Sequence, residues 1–144
     1  MSQGRNSLSP MPFKKLKPSD AMPVLFIGHG SPLNAITDNE YRRSWQALGA
    51  RFGSDWPVPQ LILCISAHWL TEGWWLTGMA QPKTIHDFGG FPQELFEIEY
   101  PALGSPALAD RVQELLNVPI VMEENEWGID HGAWSVLKYM YPQG

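Results

Sequence analysis

The sequence predicts an α/β fold: three α/β/α layers around a central, largely parallel sheet. Two runs, Val24-Leu25-Phe26-Ile27 and Leu61-Ile62-Leu63-Cys64-Ile65, are apolar at every position, as expected of strands covered on both faces. A segment of helical periodicity separates them, giving a βαβ unit of right-handed crossover. Each run ends in a histidine-bearing turn, Gly28-His29-Gly30-Ser31-Pro32 or Ser66-Ala67-His68-Trp69. Open α/β sheets bind their ligands at such carboxyl ends of strands.

The first 21 residues carry Arg5, Lys14, Lys15 and Lys17 but no apolar core, so they read as a disordered tail rather than a secretory signal. The first strand spans 22–27. Thr37 and Glu40 have capping-box spacing, opening a helix over 40–52 whose Tyr41, Trp45, Leu48 and Phe52 pack on the sheet. Gly53 stops it. Pro57 and Pro59 frame the turn into the second strand, 61–66, and a further strand is expected over 74–79. Residues 81–104 are loop-like, with Gly89-Gly90 and a short helix over 93–98. Ser105 and Pro106 supply an N-cap and first position for a helix with a buried stripe of Leu108, Val112, Leu115 and Leu116. A short strand over 119–122 and a helix over 133–141 complete the pattern. So few strands make a small sheet. The fold reads as incomplete at its C-terminus, with self-association through the unfinished core as one expected consequence.

A net charge of −5 gives no electrostatic support for general nucleic-acid binding. No apolar run is long enough to span a membrane. The single cysteine, Cys64, excludes an intramolecular disulfide framework and reads as a small core residue. A cytoplasmic location is the default expectation.

His29 and His68 lie one βαβ crossover apart, so parallel strands bring both imidazoles to one rim. Such a pair suits a transition metal, although a mononuclear site usually needs three protein ligands; the alternative is two hydrogen-bonded rim residues. His131, in Trp127-Gly128-Ile129-Asp130-His131-Gly132-Ala133-Trp134, reads as a general acid/base or as a loop histidine bonded to backbone. His86 lies in Thr84-Ile85-His86-Asp87-Phe88-Gly89-Gly90-Phe91-Pro92, where the double glycine permits close ligand approach and Phe88 and Phe91 would wall an aromatic pocket. A glycine-rich surface loop is the alternative. The Gly28-His29-Gly30-Ser31 turn lacks both the spacing and the lysine of a phosphate loop, and Ser31 lacks a nucleophile-elbow pattern.

Read together, the four histidine segments occur in an order that resembles the LigB-like family of class III extradiol ring-cleavage dioxygenases, in its 4,5-DOPA dioxygenase branch. The resemblance runs from Met22 to Gly144. It implies residues 22–144 as the N-terminal part of a catalytic domain with a mononuclear non-haem iron(II) site, sometimes isolated with zinc. It further implies His29 and His68 as metal ligands, His131 as a histidine of the substrate pocket with a catalytic acid/base role, and His86, Phe91 and Trp69 as pocket residues. The substrates implied are a DOPA-like catechol and O₂. Family members are longer, and their remaining metal ligands and a further catalytic histidine lie in the second half. Two other readings stand beside this one: a truncated, non-catalytic metal-binding relative, and a zinc-dependent hydrolase.

Overall fold

A computed structural model describes residues 16–144; the first 15 residues of the expected tail lie outside the described residues. The architecture is α/β. In chain order it comprises a 3-10 turn at Pro32–Ala35, α1 at Glu40–Gly49, β1 at Trp74–Thr77, α2 at Gln93–Phe96, α3 at Pro106–Leu116, β2 at Ile120–Glu123 and α4 at His131–Met140. β1 and β2 pair in parallel, with Trp74 opposite Ile120 and Thr77 opposite Glu123. Past the ladder, Thr84 and Ile129 form an isolated parallel bridge, fixed by Ile85 N–H to Ile129 O and Ile129 N–H to Lys83 O, each 2.8 Å.

The helix expected over 40–52 is shorter and differently capped. Its N-cap is Asn39, whose side chain accepts from the Arg42 N–H at 3.1 Å, not Thr37. It ends at Gly49, where the last turn tightens into Ala50–Trp56, and Gly53 takes a φ of 87°. A Cβ at Gly49 would lie 2.7 Å from the Met140 backbone, so the missing side chain lets α1 and α4 approach closely. Trp45, Val136 and Met140 form the core of that contact, with Trp45 stacked on Tyr139 at 6.2 Å. A second cluster holds Ala35, Leu95, Tyr100 and Trp134. Lys138 Nζ and Tyr139 OH both donate to the Ala35 carbonyl, at 3.1 and 2.6 Å, pinning the 3-10 turn to α4.

The Ser105 cap and Pro106 start of α3 are as expected, and Asn117 closes the helix in the left-handed conformation at φ 50°. Its stripe is narrower than expected: Leu108 and Val112 are half-buried, whereas Leu115 and Leu116 are exposed.

The runs 22–27 and 61–66 form no ladder. They nevertheless start together, through Lys17 and Gln60 backbone-to-side-chain bonds of 2.9 and 3.0 Å, and end together at His29 and His68. Contacts at both ends set the two runs side by side, but the strands expected there are absent among the described residues. Exposure along the first run alternates: Ile27 packs against Trp45, Val136 and Met140, whereas Val24 and Phe26 are 99% and 105% exposed. Ile65 is 92% exposed, and Cys64 is exposed rather than in a core. A buried parallel strand needs a layer on each face, and among the described residues one face of these runs has none.

Candidate metal centre

His29 is presented by a short polar turn. Gly30 takes a φ of 64°, and Asn34 Nδ2 donates to the His29 carbonyl at 3.1 Å, itself held by Asn39 Nδ2 on Asn34 Oδ1 at 2.8 Å. His68 follows the second apolar run, where its N–H donates to Ser66 Oγ at 3.1 Å. Ser66 Oγ in turn donates to Asp130 Oδ1 at 2.6 Å. His131 is the first residue of α4 and is buried.

These elements bring three imidazoles together. One ligating nitrogen from each of His29, His68 and His131 lies within 4.8 Å of the others. His29 Nε2 and His68 Nε2 are 2.9 Å apart, and the His68 and His131 ring centroids are separated by 4.1 Å. Burial, with the neighbouring His68 and His131, pushes the His29 pKa below the ordinary imidazole value. A neutral ring keeps the lone pair that a metal requires. Three convergent nitrogen donors fit a transition metal, and imidazole suits zinc and iron alike.

Around the triad lie residues that the pattern of histidines alone does not reveal. Asp87 Oδ1 accepts from both the His131 N–H and His131 Nδ1–H, each at 2.9 Å, and Asp87 Oδ2 lies 3.5 Å from His68 Nδ1. Burial raises the Asp87 pKa, but the His131 hydrogen bonds outweigh it and hold the carboxyl below its usual range. Asp130 is buried, and Trp127 Nε1 donates to its Oδ2 at 3.3 Å. A Cβ on Gly132 would lie 2.8 Å from His68 Cδ2, so the glycine lets α4 abut that ring.

The expected pocket residues are spread around this centre. Trp69 stacks on Trp127 at 6.1 Å and 3°. His86 stands apart from the triad: its Nε2 donates to the Ile98 carbonyl at 2.9 Å, and its ring packs near Phe88, Phe96 and Trp134. Phe91 packs edge-on against Phe88 at 5.5 Å, and Phe88, not Phe91, meets the His131 ring, at 5.3 Å and 90°. The carboxylate signal was available in the sequence, since Asp87 directly follows His86 in the His-Asp-Phe-Gly-Gly segment.

Residues 23–144 match the family profile described as the catalytic LigB subunit of aromatic ring-opening dioxygenase. The chain belongs to the LigB family. It is 55% identical over 125 residues to a 4,5-DOPA dioxygenase extradiol of Escherichia coli K12, covering 86% of this chain and 45% of that protein. A 4,5-DOPA dioxygenase extradiol of Beta vulgaris is 40% identical over 127 residues, covering 83% of this chain and 46% of the relative. The chain thus spans about half the length of the curated relatives it matches. A crystal structure of an uncharacterized E. coli K12 protein superposes with a TM-score of 0.54 at 44% identity, covering 73% of this chain and 36% of that one. No described helix is long and apolar enough to cross a membrane.

Proposed function

We propose that residues 22–144 are the N-terminal part of an extradiol dioxygenase domain that opens a DOPA-like catechol with O₂. The observation that carries the reading is the convergence of His29, His68 and His131 in a LigB-family chain. The names of the E. coli and Beta vulgaris relatives support the same reaction.

In this reading His29 and His68 hold the metal, iron(II) in the working protein and zinc(II) an acceptable substitute in isolation. A divalent metal so held lowers the pKa of a catechol hydroxyl and brings the two reactants together. The protein's own residues supply the rest. His131, with Nδ1 engaged by Asp87, has Nε2 available to take a hydroxyl proton and return it as the ring opens. The bond cleaved lies beside the two hydroxyl carbons, and both oxygen atoms of O₂ enter the product. Trp69 offers a flat apolar wall. Phe91 and His86 act through Phe88, which both contact and which faces His131. The activity belongs in the cytoplasm.

The test joins this chain to the C-terminal portion of the E. coli relative and loads the product anaerobically with iron(II). Addition of DOPA and O₂ is expected to consume one O₂ per catechol and yield a yellow ring-opened product. The 144-residue chain alone is expected to bind metal weakly and turn over negligibly, having fewer ligands. Metal uptake by the joined protein without O₂ consumption would support a metal-binding relative instead, and O₂-independent hydrolysis would support a zinc hydrolase.

A further inference from the structure

The Asp87 carboxylate occupies a position that neither the fold nor a helix cap alone explains. One oxygen accepts both the backbone N–H and ring Nδ1–H of His131, at 2.9 Å each. The other is 3.5 Å from Nδ1 of His68, so a single side chain reaches the outer edges of two imidazoles that belong to distant parts of the chain. Its own side chain is only 13% exposed, and that of His131 only 5%. A carboxylate accepts hydrogen bonds and does not donate them when ionised, so the His131 Nδ1 bonded to it carries the proton, and the same charge favours a proton on the His68 Nδ1 that faces it. The opposite nitrogens are then left as lone-pair donors. The 2.9 Å approach of His68 Nε2 to His29 Nε2 has that orientation, with the inner edge of His68 directed at the centre.

We propose that Asp87 is the positioning residue of this centre, fixing the Nδ1–H tautomer and ring orientation of His131 and His68 so that their Nε2 atoms converge with that of His29. This rests on the metal-binding reading for its purpose, but the tautomer can be read without any metal. The carboxylate also anchors the first N–H of α4, where a negative charge is favoured. It therefore couples the direction of the His131 ring to the start of the helix that carries it. Partners of this kind set both ring orientation and ligand basicity, and their loss typically weakens metal binding by about 10- to 100-fold.

The experiment uses the full chain, its Asp87→Asn variant and its Asp87→Glu variant. Long-range nitrogen–proton NMR reads the histidine tautomers in the absence of metal, and competition against a chelator reads zinc(II) affinity. The parent is expected to show His131 and His68 as Nδ1–H tautomers. Asp87→Asn keeps the shape but offers an amide that can donate to Nδ1. It is expected to give mixed tautomers and zinc binding weaker by about 10- to 100-fold, with the helical circular-dichroism signal retained. Asp87→Glu, which restores the charge, is expected to recover the Nδ1–H form and part of the affinity. A parent in which His131 is protonated on Nε2 overturns the proposal without reference to any variant. So does an Asp87→Asn protein whose tautomers and zinc affinity match the parent. A parent that takes up no zinc, while its tautomers still depend on Asp87, overturns the metal reading and leaves the positioning role standing.

Discussion

Ser66 Oγ donates to Asp130 Oδ1 at 2.6 Å across 64 residues of sequence. The same oxygen accepts from the His68 N–H at 3.1 Å, so the backbone of one candidate ligand is tied to the residue that precedes another. Asp130 is 2% exposed, and its second oxygen is met by Trp127 Nε1 at 3.3 Å. Ser66→Ala leaves a buried carboxylate oxygen short of its shortest hydrogen bond. It is expected to cost about 1–3 kcal/mol, read as a lower urea midpoint, and to weaken zinc uptake. An unchanged midpoint would mean that this link contributes nothing to the fold.

Gly132 allows the His68 ring to lie against the start of α4. A methyl group there would come within 2.8 Å of His68 Cδ2, 3.0 Å of Ser66 Oγ and 3.2 Å of Asp130 Oδ1. Alanine is the better helix former by about 1 kcal/mol, so propensity alone predicts a gain in stability. Crowding of three neighbours by an added methyl costs about 1–3 kcal/mol and is expected to win. The Gly132→Ala protein should melt lower than the parent and bind zinc less tightly. A higher melting temperature with zinc affinity intact would show that the ring has room to move.

The division of labour among the histidines has its own signature, measured in the iron-loaded joined protein. His68→Ala is expected to lower metal occupancy first. His131→Ala is expected to leave occupancy nearly intact and to cut kcat/KM for ring cleavage by about 10²-fold or more, the scale of a lost acid–base group. Loss of metal from His131→Ala, with normal turnover per remaining metal, would instead make His131 a third ligand, a role its nearness to His29 and His68 permits.

Tyr100 gives a pH dependence remote from the centre. Its OH donates to the Tyr141 carbonyl at 3.0 Å, and burial, with a smaller contribution from nearby Tyr141, pushes its pKa up to about 12. The folded state therefore holds this proton more tightly than the unfolded chain, whose phenol titrates near pH 10. The stabilisation is full below about pH 10 and is lost as pH rises toward about 12. Urea midpoints taken through that window should fall for the parent and fall less steeply for Tyr100→Phe. Equal slopes would remove Tyr100 as a contributor.

Much of the site was legible because histidines placed after apolar runs are uncommon and chemically specific. His29 and His68 were expected side by side, and they meet, although no sheet rim carries them. The Ser105-Pro106 start of α3 was equally plain, since it depends on two adjacent residues. What escaped reading depended on distant partners. Thr37 and Glu40 offered a capping box, yet Asn39, two residues nearer the helix, takes the cap. Leu115 and Leu116 have helical spacing but no facing layer, so the period of the sequence does not become burial. The runs 22–27 and 61–66 have strand composition, but composition cannot say whether a ladder partner lies alongside. Asp87 lies beside His86 in the sequence, but its role exists only once His131, 44 residues later, folds back onto it.

The triad joins positions separated by long stretches of chain, 39 residues from His29 to His68 alone. Closing such loops costs entropy before any contact repays it, and contacts of high sequence separation slow folding. His29 and His68 meet only when the two runs that carry them lie side by side. A metal held by His29 and His68 therefore favours the native arrangement over any form in which the two runs lie apart, and its binding free energy adds directly to native stability. Zinc at 100 times its dissociation constant should raise the unfolding free energy by about 2.7 kcal/mol, making the centre a built-in reporter of whether the segments that carry its histidines have come together.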